Sequence, residues 1–491
     1  MDSVIENSDR LKVVSLFSGC GGLDLGFVMS GHYEIKFAGD IKDDAANTYA
    51  YNFGAEIIRS LSTASSHPLF FLGNIKDLDF RALKLLYPDP DVVIGGPPCQ
   101  DFSLARGTDL ANAGIGTERG RLYAYFVKAL IFLRPKYFVF ENVPGIISDN
   151  KGETWNTIKE DFKNLSIHVQ DIEKIAGDGF DGANPGYFLA YAGVVDASAI
   201  GVPQRRKRVL AIGVRKDLLE KATGDLHTNI AERVKELCRE KITGDGSLFP
   251  KYPLTAIEAF EGYPLNALQQ NYEETMAEWL INKANDKIRA TKKWELEHSA
   301  ELTKNIMDSY CDTNGFSFDP HSILNAMTEH EMVLKELGFY GRNVCHSTAR
   351  DGSCNLFSER SNVVERLFYT PPDENYKFLY KYRRFRVEGK GISMIYKRLH
   401  PLKPAYTVTA NGGGGTHGYH YERGRSRLTI REIARLQSFP DSFIFVGSKK
   451  EVKKQIGEAV PPLLGMKAAE AVWLIEQTIC KQLKPVSAEP A

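Results

Sequence analysis

The distribution of hydrophobic and polar residues predicts an α/β fold for the first part of the chain. Between Leu11 and Val214, short runs rich in β-branched and aromatic residues alternate with longer mixed stretches. The short runs predict strands at Lys12–Phe17, Glu34–Asp40, Asp91–Gly95, Tyr137–Glu141 and Arg208–Val214. The longer stretches predict helices at Gly22–Ser30, Asp43–Phe53, Phe80–Tyr87 and Leu122–Leu133. This alternation is typical of a doubly wound sheet with mostly parallel strands, which binds ligands beyond the carboxyl ends of those strands.

After about Arg215 the alternation stops. Residues Ala256–Tyr310 are charged and compatible with helix, whereas Tyr376–Tyr406 is aromatic, basic and β-like. Helical patterns return at Thr429–Gln437 and Pro462–Ile479. We therefore predict an α/β domain over 1–214, a separate domain over 215–427, and C-terminal helices over 428–491 that return to the first domain.

Charge is balanced over the whole chain but unevenly distributed. The sequence has 62 Lys and Arg against 62 Asp and Glu. Between Tyr376 and Arg431, however, 13 basic residues face only 2 acidic ones. Such a segment can bind a phosphate backbone, although a charged solvated face is the alternative.

Composition excludes two other classes of protein. No run approaches the roughly 18 apolar residues of a membrane span, and Met1–Arg10 is too polar for a secretory signal. The 7 cysteines are odd in number and scattered, which disfavours a disulfide framework. We expect a cytoplasmic protein without a membrane partner.

The first chemical motif is the turn Phe17–Gly22, between the first predicted strand and helix. Its glycines allow a tight turn that approaches a ligand closely. Asp40 ends the second strand, where a carboxylate often accepts hydrogen bonds from ribose hydroxyls. Because the motif is not GxGxxG, the residues leave open a nucleoside-type cofactor or a structural glycine turn.

The second motif, Gly95–Ser103, follows the strand that ends at Gly95. Two glycines and two prolines direct the chain sharply and place Cys99 at the carboxyl edge of the sheet. A buried structural cysteine would not need this rigid turn, so we interpret Cys99 as a nucleophile.

Two further motifs deliver polar groups toward the same edge. Glu141 ends a buried strand and is a candidate to donate a proton to a ring nitrogen, with helix capping as its alternative. In Gln204–Arg208, strand alternation would point Gln204, Arg206 and Arg208 in one direction.

In this order and spacing, the motifs closely resemble the DNA (cytosine-5)-methyltransferase family of restriction-modification systems. The resemblance covers Val13–Val214 and Lys397–Ile479. It continues in Arg398–Pro401, Thr407–Gly413, Leu428–Pro440 and Gln455–Pro461. It implies a Rossmann-like methyltransferase domain over 1–214 and 428–491, with a target-recognition domain inserted over 215–427.

The resemblance implies S-adenosylmethionine as the cofactor. Asp40 would bind the ribose, Ile41 would pack on the adenine, and Asn74 and Ile75 would meet the adenine edge. The full implied set of cofactor residues is Phe17, Ser18, Gly19, Cys20, Gly21, Gly22, Leu23, Asp40, Ile41, Asn74, Ile75, Pro98, Leu122, Glu458 and Val460.

The implied reaction is methylation of C5 in a cytosine flipped out of duplex DNA. Cys99 would add to C6, Glu141 would protonate or hydrogen-bond N3, and Arg206 would steady the base and the Cys99 region. Gln204 and Arg208 complete the implied catalytic set, and 101–121 would close over the flipped base. The expected DNA contacts are Gln100, Ser103, Arg383, Arg384 and Arg386.

Three residues depart from the family pattern. Asp40 stands where most relatives have Glu, Asn74 where they have Asp, and Glu458 where they have Asn. Asp40 keeps an acceptor, Asn74 keeps a carbonyl, and Glu458 adds a carboxylate near the methionine end. We expect cofactor binding to survive with moderate affinity.

Several alternatives stay open at this stage. A transfer-RNA cytosine methyltransferase shares the motifs but has a shorter insertion, and a catalytically inactive DNA-binding protein would not need Cys99 and Glu141. A nicotinamide dehydrogenase would require GxGxxG. Cys345-His346 with Cys311 and Cys354 fits no standard zinc spacing, so we expect no metal. We expect a monomer that acts on double-stranded DNA, and functional pairing with a restriction endonuclease is possible.

Overall fold

A computed structural model describes most of the chain and divides it into two compact units. The described residues are 10–61, 66–98, 121–165, 186–220, 226–238, 253–268, 320–345, 347, 349, 351–380, 382–386, 396–410, 418–422, 425 and 427–483. Unit 1 comprises Met1–Asp196, Lys207–Glu240 and Pro462–Ala491. Unit 2 comprises Ala197–Arg206 and Lys241–Pro461.

The described elements are numbered in chain order. The strands are β1 Leu11–Leu16, β2 Tyr33–Asp40, β3 Glu56–Ile58, β4 Leu69–Leu72, β5 Val92–Gly95, β6 Tyr137–Asn142, β7 Tyr187–Asp196 and β8 Lys207–Arg215. The α-helices are α1 Gly22–Met29, α2 Asp43–Phe53, α3 Phe80–Leu86, α4 Arg121–Leu133, α5 Gly145–Ser148, α6 Glu153–Lys163, α7 Lys216–Glu220, α8 Leu226–Cys238, α9 Ala256–Glu261, α10 Pro320–Glu336, α11 Ser361–Tyr369, α12 Ile430–Leu436, α13 Lys449–Glu458 and α14 Pro462–Leu483.

Unit 1 is built on one eight-stranded sheet with the order β3-β4-β2-β1-β5-β6-β8-β7. The pairs from β3 to β6 are parallel, and β8 is antiparallel to both β6 and β7. The predicted doubly wound, mostly parallel α/β sheet is therefore confirmed. Because the connections run in opposite directions from β1 and β5, a ligand site is expected beyond their carboxyl ends.

Local sequence explains why the predicted elements form. β5 and β6 are buried along their whole length, so they appear as continuous apolar runs rather than as alternating patterns. Helix α2 ends where Gly54 adopts a left-handed conformation with φ of 63°. The predictions missed β3, β4 and β7, of which β3 and β4 are only three and four residues long.

Unit 2 is rich in helices and loops. Capping boxes start α9 at Thr255 and α12 at Thr429. Over the described part of Tyr376–Tyr406 the predicted β character is wrong: the segment contains 3-10 helices at Tyr376–Leu379 and Arg383–Phe385 and only isolated bridges. The Asn375 side chain accepts the Lys377 amide and thereby favours a turn over an extended strand.

The compact units do not follow the predicted functional boundaries. Residues 428–461 lie in unit 2 and 462–491 in unit 1, whereas 215–240 lie in unit 1. The β8 strand continues past 214 into α7, and this continuity keeps that stretch with the sheet. The functional division at 214 and 427 stays a prediction.

None of the helices that the structure describes has the length and apolar character needed to cross a membrane.

Helix α14 packs on α1 through two glycines. A Cβ at Gly465 would lie 2.6 Å from the Leu23 carbonyl oxygen, and a Cβ at Gly26 would collide with the backbone at Pro462 and Met466. The side chain of Tyr33 adds a hydrogen bond to the Ala469 carbonyl over 2.7 Å. Small residues are required here because backbone approaches backbone.

We expect Gly26→Ala to lower the free energy of unfolding by about 2–3 kcal/mol, since the new methyl group would force α14 away from α1. Chemical denaturation of the full chain measures this. Gly145→Ala is the control, because a Cβ at Gly145 meets no atom within 4 Å. Equal stability of the two variants would contradict the close packing.

Candidate active site

The turn after β1 has the backbone conformation that its glycines allow. Gly19 and Gly21 have φ of 54° and 90°, and Phe17 also has a positive φ of 57°. A Cβ at Gly21 would lie 2.9 Å from Tyr49 and closer still to Phe53. A non-glycine residue held at positive φ is often found at functional turns.

Asp40 at the end of β2 is bonded to this turn. Its Oδ2 accepts the Gly19 amide over 2.9 Å, and its Oδ1 accepts the Lys42 amide over 3.1 Å. Burial raises the pKa of Asp40 although both hydrogen bonds lower it. The neighbouring Ile41 side chain is 59% exposed.

The Asn74 and Ile75 pair lies close to the same strand end. The Gly73 amide donates to the Asp40 carbonyl over 3.1 Å. Asn74 Oδ1 accepts the Lys76 amide over 3.1 Å, so it caps a short helical turn that begins at buried Ile75. A carbonyl oxygen has two lone pairs, and Asn74 therefore retains capacity for one more donor.

The turn after β5 meets Glu141 directly. A Cβ at Gly96 would lie 2.8 Å from Glu141 Oε2, so the carboxylate occupies the space that a side chain at 96 would need. On the next residue of β6, Asn142 Nδ2 donates to the Pro97 carbonyl over 3.1 Å. Together the two residues fix the segment that leads to Cys99, which itself lies outside the described residues.

Arg208 on β8 forms an ion pair with Glu141. The Nε to Oε1 distance is 3.0 Å, and both side chains are largely buried. β6 and β8 are antiparallel neighbours, with Glu141 opposite Leu210. A guanidinium at this distance fixes the orientation of the carboxyl group.

Gln204 and Arg206 do not continue this strand. β8 begins at Lys207, but the predicted alternation is seen in the burial of these side chains: Gln204 and Arg206 are buried, whereas Arg205 and Lys207 are exposed. Gln204 Nε2 donates to the Leu436 carbonyl over 2.8 Å, and its Oε1 accepts the Val408 amide over 2.9 Å. Both contacts lie inside unit 2, where the Gln204 side chain is fully buried.

Arg206 is likewise buried in unit 2, and its guanidinium binds three backbone carbonyls. It donates to Val408, Gly457 and Ala459 over 2.7, 2.9 and 2.9 Å. These hydrogen bonds connect the end of α13 to the segment that contains Val408. A catalytic role for Gln204 or Arg206 stays a prediction.

The other predicted cofactor residues lie in both units. Phe17 and Leu122 pack on the core cluster of the sheet, whereas Pro98 is exposed. Cys20 and Leu23 are buried on either side of the helix start. Glu458 is exposed at the end of α13, and Val460 is half-buried beyond it.

The predicted DNA contacts divide into two groups. Gln100 and Ser103 lie outside the described residues, as does the rest of 99–120. Arg383, Arg384 and Arg386 are exposed in unit 2. Arg384 pairs with Glu365, and the Arg386 guanidinium lies 4.4 Å from the Tyr380 ring centroid.

Much of the surrounding positive charge is used internally. Arg398 is fully buried and donates to four carbonyls, while Lys397 and Lys403 both pair with Asp373. Arg425 pairs with buried Glu432. The basic excess found in the sequence therefore overstates the charge that faces solvent.

Cys345 meets His420 in the interior of unit 2. The Sγ to Nε2 distance is 3.1 Å, with Glu422 nearby. The Glu422 amide donates to His420 Nδ1 over 3.1 Å, which leaves the proton on Nε2, directed at the sulfur. The ligand atoms of Cys345, His420 and Glu422 lie within 4.8 Å of one another, so the absence of a metal stays a prediction; Cys311 and His346 lie outside the described residues.

Sequence reasoning assigned no role to Asn142, which the structure places on the Pro97 carbonyl. Its position directly after Glu141 was the available signal. Adjacent residues at the end of one strand can contact the turn after the neighbouring strand from two sides. Ser15 and Asp24, which lie beneath the glycine turn, carried no comparable signal because a buried polar residue inside an apolar run has no distinctive spacing.

The fold and the two turns at its edge are those of a Rossmann-like methyltransferase. The model of the family described as C-5 cytosine-specific DNA methylase matches residues 11–473. The chain belongs to this family, which uses S-adenosylmethionine and acts on cytosine C5 in DNA.

Known relatives match almost the whole chain. The DNA (cytosine-5-)-methyltransferase M.ApeKI of Aeropyrum pernix is 46% identical over 470 residues, covering 94% of this chain and 98% of that protein. The type II methyltransferase M.NgoFVII of Neisseria gonorrhoeae is 30% identical over 456 residues, covering 93% and 84%. The predicted family and enzyme class are confirmed.

A solved structure has a similar fold. It is a prophage-encoded E. coli protein described as a candidate DNA modification methyltransferase, with a TM-score of 0.53 and 22% identity. The match covers 95% of this chain and all of that one.

We expect Arg206→Lys to destabilise the full chain by about 2–4 kcal/mol, because one ammonium cannot serve three carbonyls that a planar guanidinium reaches. Thermal unfolding at constant pH measures the loss. The adjacent, exposed Arg205 provides Arg205→Lys as a control with little expected effect. Unchanged stability of Arg206→Lys would mean that these hydrogen bonds do not hold unit 2.

Proposed function

We propose that this protein methylates C5 of a flipped-out cytosine in a specific duplex DNA sequence, through a covalent bond between Cys99 and C6. The observation that carries the proposal is the position of Glu141. Its carboxylate is oriented by Arg208 and lies against Gly96. Gly96 is three residues before Cys99 along the chain. That arrangement supports a carboxyl group and a thiol acting on one ring.

The residues around the glycine turn fit S-adenosylmethionine. The turn excludes any Cβ at Gly21, Asp40 offers carboxylate oxygens, and exposed Ile41 offers an apolar surface for an adenine ring. Asn74 retains an acceptor for an amino group. The cofactor supplies the electrophilic methyl group when bound.

The residues of the chain carry the remaining chemistry. The Cys99 thiolate forms a bond to C6, and the electrons of the C5–C6 double bond move into the ring toward C5 and N3. Glu141 stabilises the charge at N3 by donating a hydrogen bond or a proton. After methylation, loss of the C5 proton restores the double bond and expels the Cys99 thiolate.

Access to C6 requires the cytosine to leave the helix, which costs a few kcal/mol. We propose that 101–121 closes over the extruded base and that Leu122, beyond this segment, faces the cofactor. Arg383, Arg384 and Arg386 are proposed to contact DNA from unit 2. Their exposure supports this role, since the neighbouring buried cations cannot reach a phosphate.

The similarity to type II methyltransferases supports a role in restriction-modification. We propose that methylation protects a short recognition site from a cognate endonuclease. The monomeric state stays a prediction.

We expect wild-type protein to form a stable covalent complex with duplex DNA that carries 5-fluorocytosine at its target, because fluorine at C5 blocks the elimination step. Cys99→Ala should form none. Denaturing electrophoresis detects the adduct, and bisulfite sequencing of plasmid DNA after expression identifies the target site. Cys480→Ala, at an exposed cysteine on α14, should behave as wild type.

An adduct that persists in Cys99→Ala would exclude Cys99 as the nucleophile. Turnover on transfer RNA but not on duplex DNA would show that transfer RNA, not DNA, is the substrate.

We expect Arg386→Gln to weaken duplex binding and to reduce the slope of log K against log salt by about 1, the value for one lost phosphate contact. Fluorescence anisotropy between 50 and 200 mM salt measures the slope. Lys235→Gln removes one exposed charge from α8 and should leave the slope unchanged. Identical slopes for both variants would remove Arg386 from the interface.

A further inference from the structure

A chain of hydrogen-bonded side chains connects the interior of unit 1 to the glycine turn. At its inner end, the Tyr49 hydroxyl donates to Asp24 Oδ1 over 2.8 Å, and Ser15 also hydrogen-bonds to Asp24. Ser18 Oγ donates to Ser15 Oγ over 2.9 Å and accepts the Gly39 amide over 3.2 Å. The chain therefore joins α1, α2 and β1 to the turn.

Asp24 is an unusual residue for this position. It is fully buried in the first turn of α1, and its Oδ2 has no hydrogen-bond partner in the described part of the chain. Burial raises the pKa of Asp24 to about 6, although hydrogen bonds from Tyr49 and Ser15 lower it. A buried carboxyl group with a shifted pKa beside a ligand site is a candidate for a functional role.

The outer end of the chain is the proposed cofactor site. The Ser18 amide donates to the Gly39 carbonyl over 3.0 Å, and the next amide, that of Gly19, donates to Asp40 Oδ2. The position of Ser18 therefore sets where the turn lies against the end of β2. A change in the Ser15 hydroxyl direction would be transmitted to Ser18 through their shared hydrogen bond.

We propose that Asp24 is a positioning residue for cofactor binding: its carboxylate orients the Ser15 and Ser18 hydroxyl groups and so holds the glycine turn beside Asp40. This inference rests on the proposed role of the turn in binding S-adenosylmethionine. Asp24 does not contact the cofactor in this proposal, because its side chain lies beneath the turn.

A second buried pair in unit 1 provides a matched control. The Tyr123 hydroxyl donates to Asp161 Oδ2 over 3.2 Å, and both residues are buried. This pair joins α4 to α6, whereas the glycine turn lies between β1 and α1. If Asp24 only stabilised helix packing, the two aspartates would respond alike to substitution.

The test compares Asp24→Asn and Asp161→Asn in the full chain. Calorimetric titration with S-adenosylmethionine at pH 7.5 should show about tenfold weaker binding for Asp24→Asn, the loss expected for a hydrogen bond to a charged group. KM for the cofactor should rise while kcat at saturation stays nearly unchanged. Asp161→Asn should bind as wild type does, and equal affinities of all three proteins would overturn the inference.

The pH dependence gives a second readout. The titratable groups that face Asp24 among the described residues are Tyr49 on α2 and Asp40 at the end of β2. Affinity of the wild type should fall below about pH 6, when Asp24 takes up a proton, and Asp40 contributes because burial raises its pKa too. The Asp24→Asn profile should be shallower, and an unchanged profile would also overturn the inference.

Ser15→Ala tests the same chain if Asp24→Asn does not fold. It removes the link between Asp24 and Ser18 and should weaken cofactor binding to a similar extent, so wild-type affinity of this variant would contradict the inference. Failure of the wild type to bind S-adenosylmethionine would instead refute the proposed cofactor site itself.

Discussion

The close approach of Glu141 to Gly96 is the constraint on which the rest of the site depends. The carboxylate fills the space next to a residue that has no side chain, and Arg208 holds it from the neighbouring antiparallel strand. Parallel pairing of β5 with β6 makes this contact possible, because it brings their carboxyl ends to the same edge. The segment that leads to Cys99 then leaves the sheet in a direction set by Asn142 and Glu141 together.

The sequence predicted the sheet well where local signals were strong. β2 starts one residue earlier than predicted, and α2 has the predicted bounds, because the alternating apolar pattern of β2 and the glycine after α2 define them locally. The prediction of β structure for Tyr376–Tyr406 failed for a different reason. Aromatic and basic composition resembles that of a strand, but the Asn375 side chain favours a turn at the start of the segment, and near its end Ala405 bonds to Pro203 and Arg205, which are remote along the chain.

The candidate site was predictable to a similar degree. Gly19 and Asp40 could be paired from their places at two strand ends, and the structure joins them by a hydrogen bond. The partner of Glu141 was harder to predict, because the motif Gln204–Arg208 offers three arginines and the selection of Arg208 depends on where β8 begins. Ser15 and Asp24 could not be distinguished from core positions without coordinates.

In unit 2, buried arginine side chains satisfy backbone carbonyls that a sheet would satisfy by ladder hydrogen bonds. Where the described strands of unit 1 satisfy their backbone by ladder hydrogen bonds, Arg206, Arg398 and Arg435 each serve three or more carbonyls or carboxylates in loop segments. A planar guanidinium with five donors suits this task, since buried carbonyls left without a donor are costly. Basic residues in this unit therefore do one of two things: buried ones bind backbone carbonyls and carboxylates, and exposed ones contribute charge to the surface. Only exposed cations such as Arg383 and Arg386 are available to a phosphate, so burial rather than the number of charges identifies the surface that can meet DNA.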